Sequence, residues 1–139
     1  MEIRSYAAED KDQLAALWQA VFPDDPPHNE PTQVIAAKLK VDQLLFVASE
    51  GGAIVGSVLA GYDGHRGWLY SVAVHPTLRR KGAGSKLVLH AVEQLRKLGC
   101  VKINLQVRAT NSGVVAFYKT LGFHVEERIS MGLLLGARC

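Results

Sequence analysis

The segment Arg79-Arg80-Lys81-Gly82-Ala83-Gly84-Ser85 sets three cations and two glycines between a strand-like pattern and a helical one. That junction suits a phosphate. The first turn of a helix has N–H groups without intrahelical partners and carries the positive end of the macrodipole. Gly82 and Gly84 remove Cβ atoms where a ligand approaches the backbone, and Arg79, Arg80 and Lys81 add mobile positive charge. Taken alone, the same residues also suit a basic surface turn. Two nucleotide loops are excluded. A Walker A loop needs four residues between its first glycine and Gly-Lys-Ser/Thr, and that run is absent. A Rossmann fingerprint needs a third small residue where Leu87 stands, and it belongs in an early βαβ unit.

The elements that must position this segment follow from periodicity. Ile3 to Tyr6 predicts a short strand, and Asp10 with Gln13 predicts a capping box. Leu14, Leu17, Trp18 and Val21 then recur at helical spacing until Pro23-Asp24-Asp25-Pro26-Pro27 stops the helix. A second helix is expected from Thr32, packing Val34, Ile35 and Leu39. Leu44 to Ser49, Ile54 to Tyr62 and Trp68 to His75 read as antiparallel strands joined at Gly51-Gly52 and at Asp63 to Gly67. Next comes a helix from about Gly82 to Leu98, with Leu87, Val88, Ala91, Val92, Leu95 and Leu98 on one stripe and Gly99 beyond its end. Val101 to Val107 alternates as a strand; Asn111 or Ser112 opens a helix carrying Val115, Phe117, Tyr118 and Leu121. Phe123 to Glu126 and Ile129 to Leu135 predict a closing hairpin. Strand, helix, strand from Trp68 to Val107 implies a parallel crossover. The fold class is α+β, with one mixed, mostly antiparallel sheet and flanking helices in a single domain, 1–139.

Composition narrows the function. A chain of 139 residues with 48% hydrophobic and 21% charged residues forms an ordinary globular domain. Its net charge of +3, without a basic stripe interleaved by aromatics, argues against nucleic acid. No apolar run reaches the ~20 residues of a membrane helix. The start Met1-Glu2-Ile3-Arg4 lacks a signal pattern, which sets the expectation of a cytoplasmic protein. Cys100 and Cys139 are too few and too far apart for a disulfide scaffold or a metal knuckle, and no metal is expected.

Two motifs in order resemble the GNAT (Gcn5-related) N-acetyltransferases. Arg79-x-x-Gly82-x-Gly84, directly after Val72-Ala73-Val74-His75-Pro76, is similar to that family's phosphate motif. Asn111, Tyr118 and Leu121-Gly122-Phe123 are similar to its second motif, and the β-α-α-β-β-β-α-β-α-β-β order spans the chain. Gly61 to Gly67 and the proline-rich segment before Thr32 look most like the small bacterial YpeA-type group.

The resemblance implies acetyl transfer from acetyl-CoA to a primary amine, either a small molecule or a protein lysine or N-terminus, by direct attack on the thioester. It implies that backbone groups of Val72 and Val74 pair with the pantetheine arm. The Val72 N–H then faces the acetyl carbonyl as an oxyanion donor. The N–H groups of Lys81 through Ser85 would hold the pyrophosphate, with Arg79 and Arg80 as helpers and Ala83 within the turn. Asn111 would touch the pantetheine arm, or simply cap its helix. Tyr118 maps to the tyrosine that protonates the departing thiolate. With ordinary values near 10 for tyrosine and 8.5 for a thiol, that transfer is expected to run downhill.

The base has no clear candidate, because Trp68-Leu69-Tyr70-Ser71 has no carboxylate where some relatives have a Glu. Water held by Tyr70 or Ser71, or the turn residues Asp63 and His65, are the alternatives; His75 reads as structural. Asp24, Asp25, Asn29 and Glu30 lie between the first two helices and suit a cationic amine, or plain loop solvation. A homodimer through the Ile129 to Leu135 edge is a further expectation. The competing reading is a non-catalytic acyl-CoA sensor on the same fold.

Overall fold

The structure, a computed structural model, describes residues 1–78 and 82–136. It forms two compact units, 1–105 and 106–136. In the first, the order is β1 (Glu2–Ser5), α1 (Lys11–Val21), α2 (Pro31–Val41), β2 (Leu45–Glu50), β3 (Ala53–Tyr62), β4 (Gly67–Val74), α3 (Ala83–Lys97) and β5 (Ile103–Asn104). The second holds α4 (Ser112–Thr120). Strands lie in sequence order, antiparallel from β1 to β4 and parallel between β4 and β5. The mixed sheet with its crossover is as the periodicity predicts. Among the described residues, no helix is long and apolar enough to cross a membrane.

The helices flank the sheet because each strand presents alternate residues to opposite faces. On one face, Leu14, Leu17 and Trp18 of α1 and Ile35 of α2 cluster with Leu45, Val47, Ile54, Leu59 and Ala73. On the other, α3 buries Leu87, Val88, Ala91 and Leu95 completely. Burying a side chain of this size contributes about 1.5–3 kcal/mol before the ordering entropy is offset. α3 comes close to the sheet at Gly56, where an added Cβ would lie 2.7 Å from Leu87 Cδ1 and 3.1 Å from the Ala73 carbonyl oxygen. Gly56→Ala should therefore destabilise the protein by about 1–2 kcal/mol, read as a lower urea midpoint. An unchanged midpoint would mean that α3 moves away freely.

Three local expectations are corrected. Asp10 does not cap α1 with Gln13. Its carboxylate accepts two bonds from Arg4, at 2.7 and 2.9 Å, and one from the Ala7 N–H at 2.8 Å. The Arg4 bond, above all, holds the Asp10 carboxyl below its usual range. Gln13 instead clips the β2–β3 turn, accepting from Ile54 N–H at 2.8 Å and donating to the Gly52 carbonyl at 3.4 Å. Second, the strand predicted over Val101 to Val107 pairs only at Ile103 and Asn104. Its pairing stops at Trp68 of β4, three residues before the irregularity in that strand described below. Third, Phe123 to Glu126 and Ile129 to Leu135 form no strand. Ile129, Met131, Leu133 and Leu135 are each more than four-fifths exposed. A β-compatible pattern needs a ladder partner, and no ladder reaches these residues. The α2 start differs slightly: Pro31 opens it, and Glu30 is the cap.

Candidate active site

The site is built outward from β4. Tyr70 pairs with Leu59 and Ala73 with Ser57, so Ser71 and Val72 together stand opposite Val58 alone. This is a β-bulge. Ser71 takes the extra place with φ +46°, a left-handed conformation usually left to glycine.

Strand alternation then fixes where the amides of β4 point. The His75 N–H donates to the Val55 carbonyl at 2.8 Å, toward β3. Two residues back, Ala73 points the same way, so Val72 and Val74 direct their N–H groups toward the opposite edge. On that edge β4 pairs with β5 only at Gly67 and Trp68. From Leu69 to Val74 that edge has no strand partner among the described residues, while the other edge pairs with β3. A row of open amides results, with the bulge in its middle.

The next regular helix after β4, beyond a 3-10 turn at Pro76–Leu78, is α3. Gly82 caps it with φ +83°, and the first helical bond runs from Lys86 N–H to the Gly82 carbonyl at 3.1 Å. The N–H groups of Ala83, Gly84 and Ser85 therefore have no intrahelical acceptor. Arg79, Arg80 and Lys81, the cations of this turn, lie outside the described residues.

The residues considered for the acceptor separate. Glu30 spends its carboxylate on the α2 cap, accepting from Thr32 N–H, the Thr32 hydroxyl and Gln33 N–H at 3.1, 2.7 and 2.9 Å. The Thr32 hydroxyl bond leads in holding its carboxyl below the usual range. Asn29 ends a 3-10 turn just before it. Asp63 closes the β3–β4 turn, accepting from His65 and Arg66 N–H at 2.8 and 2.7 Å, with the Arg66 bond the main cause of its lowered pKa. Tyr70 is about half exposed, its ring over Gly61, and partial burial raises its pKa. His75 turns to its own loop: Nδ1 meets the Thr77 hydroxyl at 2.8 Å and the Thr77 N–H at 3.3 Å.

In the second unit, Asn111 caps α4 by accepting from Val114 N–H at 3.2 Å, which leaves its carboxamide N–H groups to donate elsewhere. Tyr118 is 8% exposed, edge-to-face with Phe117 and Phe123 at 5.0 and 5.5 Å. Burial pushes its hydroxyl up to about 12. The expectation of a downhill transfer is thereby overturned. A tyrosine at about 12 is a weaker acid than a thiol near 8.5 by a factor of roughly 3,000, and the sign is already unfavourable at 10.

Sequence reasoning passed over Ser57 and placed Trp18 only in the helix core. The one available signal was Ser57 itself, a lone hydroxyl in the otherwise apolar run Ile54-Val55-Gly56-Ser57-Val58-Leu59-Ala60.

Comparison with known proteins agrees with this architecture. The family model described as "Acetyltransferase (GNAT) family" matches residues 10–123. An acetyltransferase of Sodalis glossinidius is 38% identical over 139 residues, covering 99% of this chain and 95% of its own. An aminoglycoside N-acetyltransferase in complex with CoA superposes with a TM-score of 0.82 at 19% identity, covering 97% of this chain and 95% of its own. The PaiA N-acetyltransferase of Thermoplasma acidophilum in complex with coenzyme A gives 0.76 at 20%, covering 92% of each chain. At those identities the two structures speak for the fold.

Proposed function

The chain belongs to the acetyltransferase (GNAT) family and is an acetyltransferase, and on that premise we propose that it moves an acetyl group from acetyl-CoA to a primary amine. One observation carries this reading: the open edge of β4, with the Val72 and Val74 amides aimed into it, is followed in the chain by the three orphan N–H groups of α3. The first suits a pantetheine arm, which presents amides of its own; the second suits a pyrophosphate. Arg79, Arg80 and Lys81, just before Gly82 in the sequence, would add positive charge for that pyrophosphate. Asn111 donates to the pantetheine arm. Within the family, we infer membership of the small bacterial YpeA-type group, a reading that the Gly61 to Gly67 turn and the prolines before Thr32 support.

The amine nitrogen attacks the thioester carbonyl directly. A C–N bond forms, the C–S bond breaks, and the Val72 N–H stabilises the oxyanion between these events. One proton leaves the nitrogen and one arrives at the sulfur. Tyr118 donates to the sulfur as charge builds there. It gives up its proton only as it regains one originating from the amine, so no free phenolate forms.

We assign none of the described side chains the role of a strong base. Asp63 and Glu30 are weaker bases than ordinary carboxylates, and Tyr70 keeps its proton. The amine enters neutral, losing its extra proton to water beside Tyr70 and Ser71. Glu30 and Asp63 lend negative potential that draws a cationic amine toward the site, and the Asn29 carboxamide oxygen offers it an acceptor.

The test is titration calorimetry with acetyl-CoA and CoA, followed by thiol release across a panel of small amines, lysine peptides and N-terminal peptides. Binding with release for one acceptor class is the expected result. No binding at millimolar ligand would defeat the donor assignment. Binding with background release throughout would favour an acyl-CoA sensor, which the lack of a carboxylate in Trp68 to Ser71 would also suit.

A further inference from the structure

We propose that Trp18 and Ser57 are positioning residues, a buried relay that holds the Ser71–Val72 bulge and so aims the Val72 N–H. The inference rests on the acetyl-transfer reading for its purpose, though not for its geometry. Trp18 Nε1 lies 2.8 Å from Ser57 Oγ, and Ser57 Oγ lies 3.4 Å from the Ser71 carbonyl oxygen. Ser57 is wholly buried and Trp18 is 4% exposed.

Chemistry sets the direction of the relay. An indole N–H only donates, so the Ser57 hydroxyl accepts from Trp18 and has one proton left to give. The Ser71 carbonyl, which only accepts, receives it.

The location gives the relay its purpose. Ser57 pairs with Ala73, the residue immediately past the bulge, and Trp18, Leu59 and Ala73 belong to one apolar cluster. A hydroxyl and an indole N–H in such surroundings are costly if unpaired. Ser71 meanwhile holds φ +46°, a conformation that a non-glycine residue keeps only where its surroundings over-determine it. The Ser57 hydroxyl holds the carbonyl of that residue. The next peptide N–H along the chain belongs to Val72, in the same rigid peptide plane as the Ser71 carbonyl. Fixing one therefore fixes the other.

Stability alone gives no reason for the relay, because replacing both partners by apolar groups of similar shape is close to neutral. The Trp18→Phe/Ser57→Ala double variant leaves no side-chain polar group unpaired, so it should fold, with a Tm lowered by several degrees for the volume lost from the indole. Its Ser71 and Val72 backbone resonances should move in ¹⁵N–¹H spectra of the ligand-free protein, while Ser57→Thr, which keeps the hydroxyl, leaves them near their wild-type positions. Adding acetyl-CoA or CoA to wild type should separate the Val72 amide signal between the two complexes, and the double variant should lose that separation. For an amine that wild type acetylates, kcat should fall roughly tenfold at unchanged KM. Unmoved Ser71 and Val72 resonances in the folded, ligand-free double variant would overturn the relay. Should wild type bind neither ligand, the donor reading fails, and the ligand-free spectra still decide the relay.

Discussion

Replacing Ser85 with Asp should weaken acetyl-CoA binding by about 2–4 kcal/mol, roughly 30- to 1,000-fold, while leaving the protein as stable as before or slightly more so. Ser85 is the third residue of α3, after the cap Gly82, and its N–H is one of the three that lack an intrahelical acceptor. A carboxylate there complements the macrodipole, worth about 0.3–1 kcal/mol to the helix. The same negative charge stands where a pyrophosphate would be held. Stability and affinity thus move in opposite directions, which separates a damaged site from a damaged fold. Calorimetry and a thermal melt on one preparation give both values, and unchanged affinity would remove the pyrophosphate from this turn.

Tyr118→Phe should lower turnover about 100-fold, the lower end of the range for a positioned proton donor, with acetyl-CoA affinity changed less than about twofold. The phenyl ring keeps the contacts with Phe117 and Phe123, so the change removes little besides the hydroxyl. Unchanged turnover would end the role of Tyr118. The raised pKa adds a signature in pH. With the hydroxyl at about 12, Tyr118 does not titrate below pH 10, and no loss of kcat in that range belongs to it. A limb near pH 9–10 that vanishes in Tyr118→Phe would contradict the burial. Stability has its own sign. Burial disfavours the phenolate in the folded state, so its contribution is complete below pH 10, the unfolded value, and is lost as pH rises toward about 12. That loss is roughly 3 kcal/mol and should be absent from Tyr118→Phe.

How far the sequence revealed all this depended on the kind of signal. The hairpin turns were legible because Gly51 and Gly52 adopt positive φ, which their residue type announces. The α3 stripe was legible because Leu87, Val88, Ala91 and Leu95 repeat at helical spacing. The bulge was not, because the residue in left-handed conformation is a serine. Asp10 and Glu30 show a different limit. Each is an acid near a helix start, yet Glu30 caps locally, whereas Asp10 turns back to Arg4 six residues away in the chain. Gln13 reaches Ile54, a partner beyond any local pattern. Tyr118 was readable from its motif, but its acidity was not, since desolvation comes from three-dimensional surroundings. The alternation of Ile129 to Leu135 promised a strand, and pairing is not a property of one segment.

The orphan amides that open α3, together with those on the free edge of β4, have a consequence for how this protein tolerates mutation. Peptide N–H groups survive any substitution except proline, so uncharged substitutions at Val72, Val74 or Ser85 would leave the donors in place while the chain path holds. Selection would then act on whatever sets that path. Gly56, whose missing Cβ admits α3, and Ser71, whose φ turns the strand, are the places where a small change should reach the ligand.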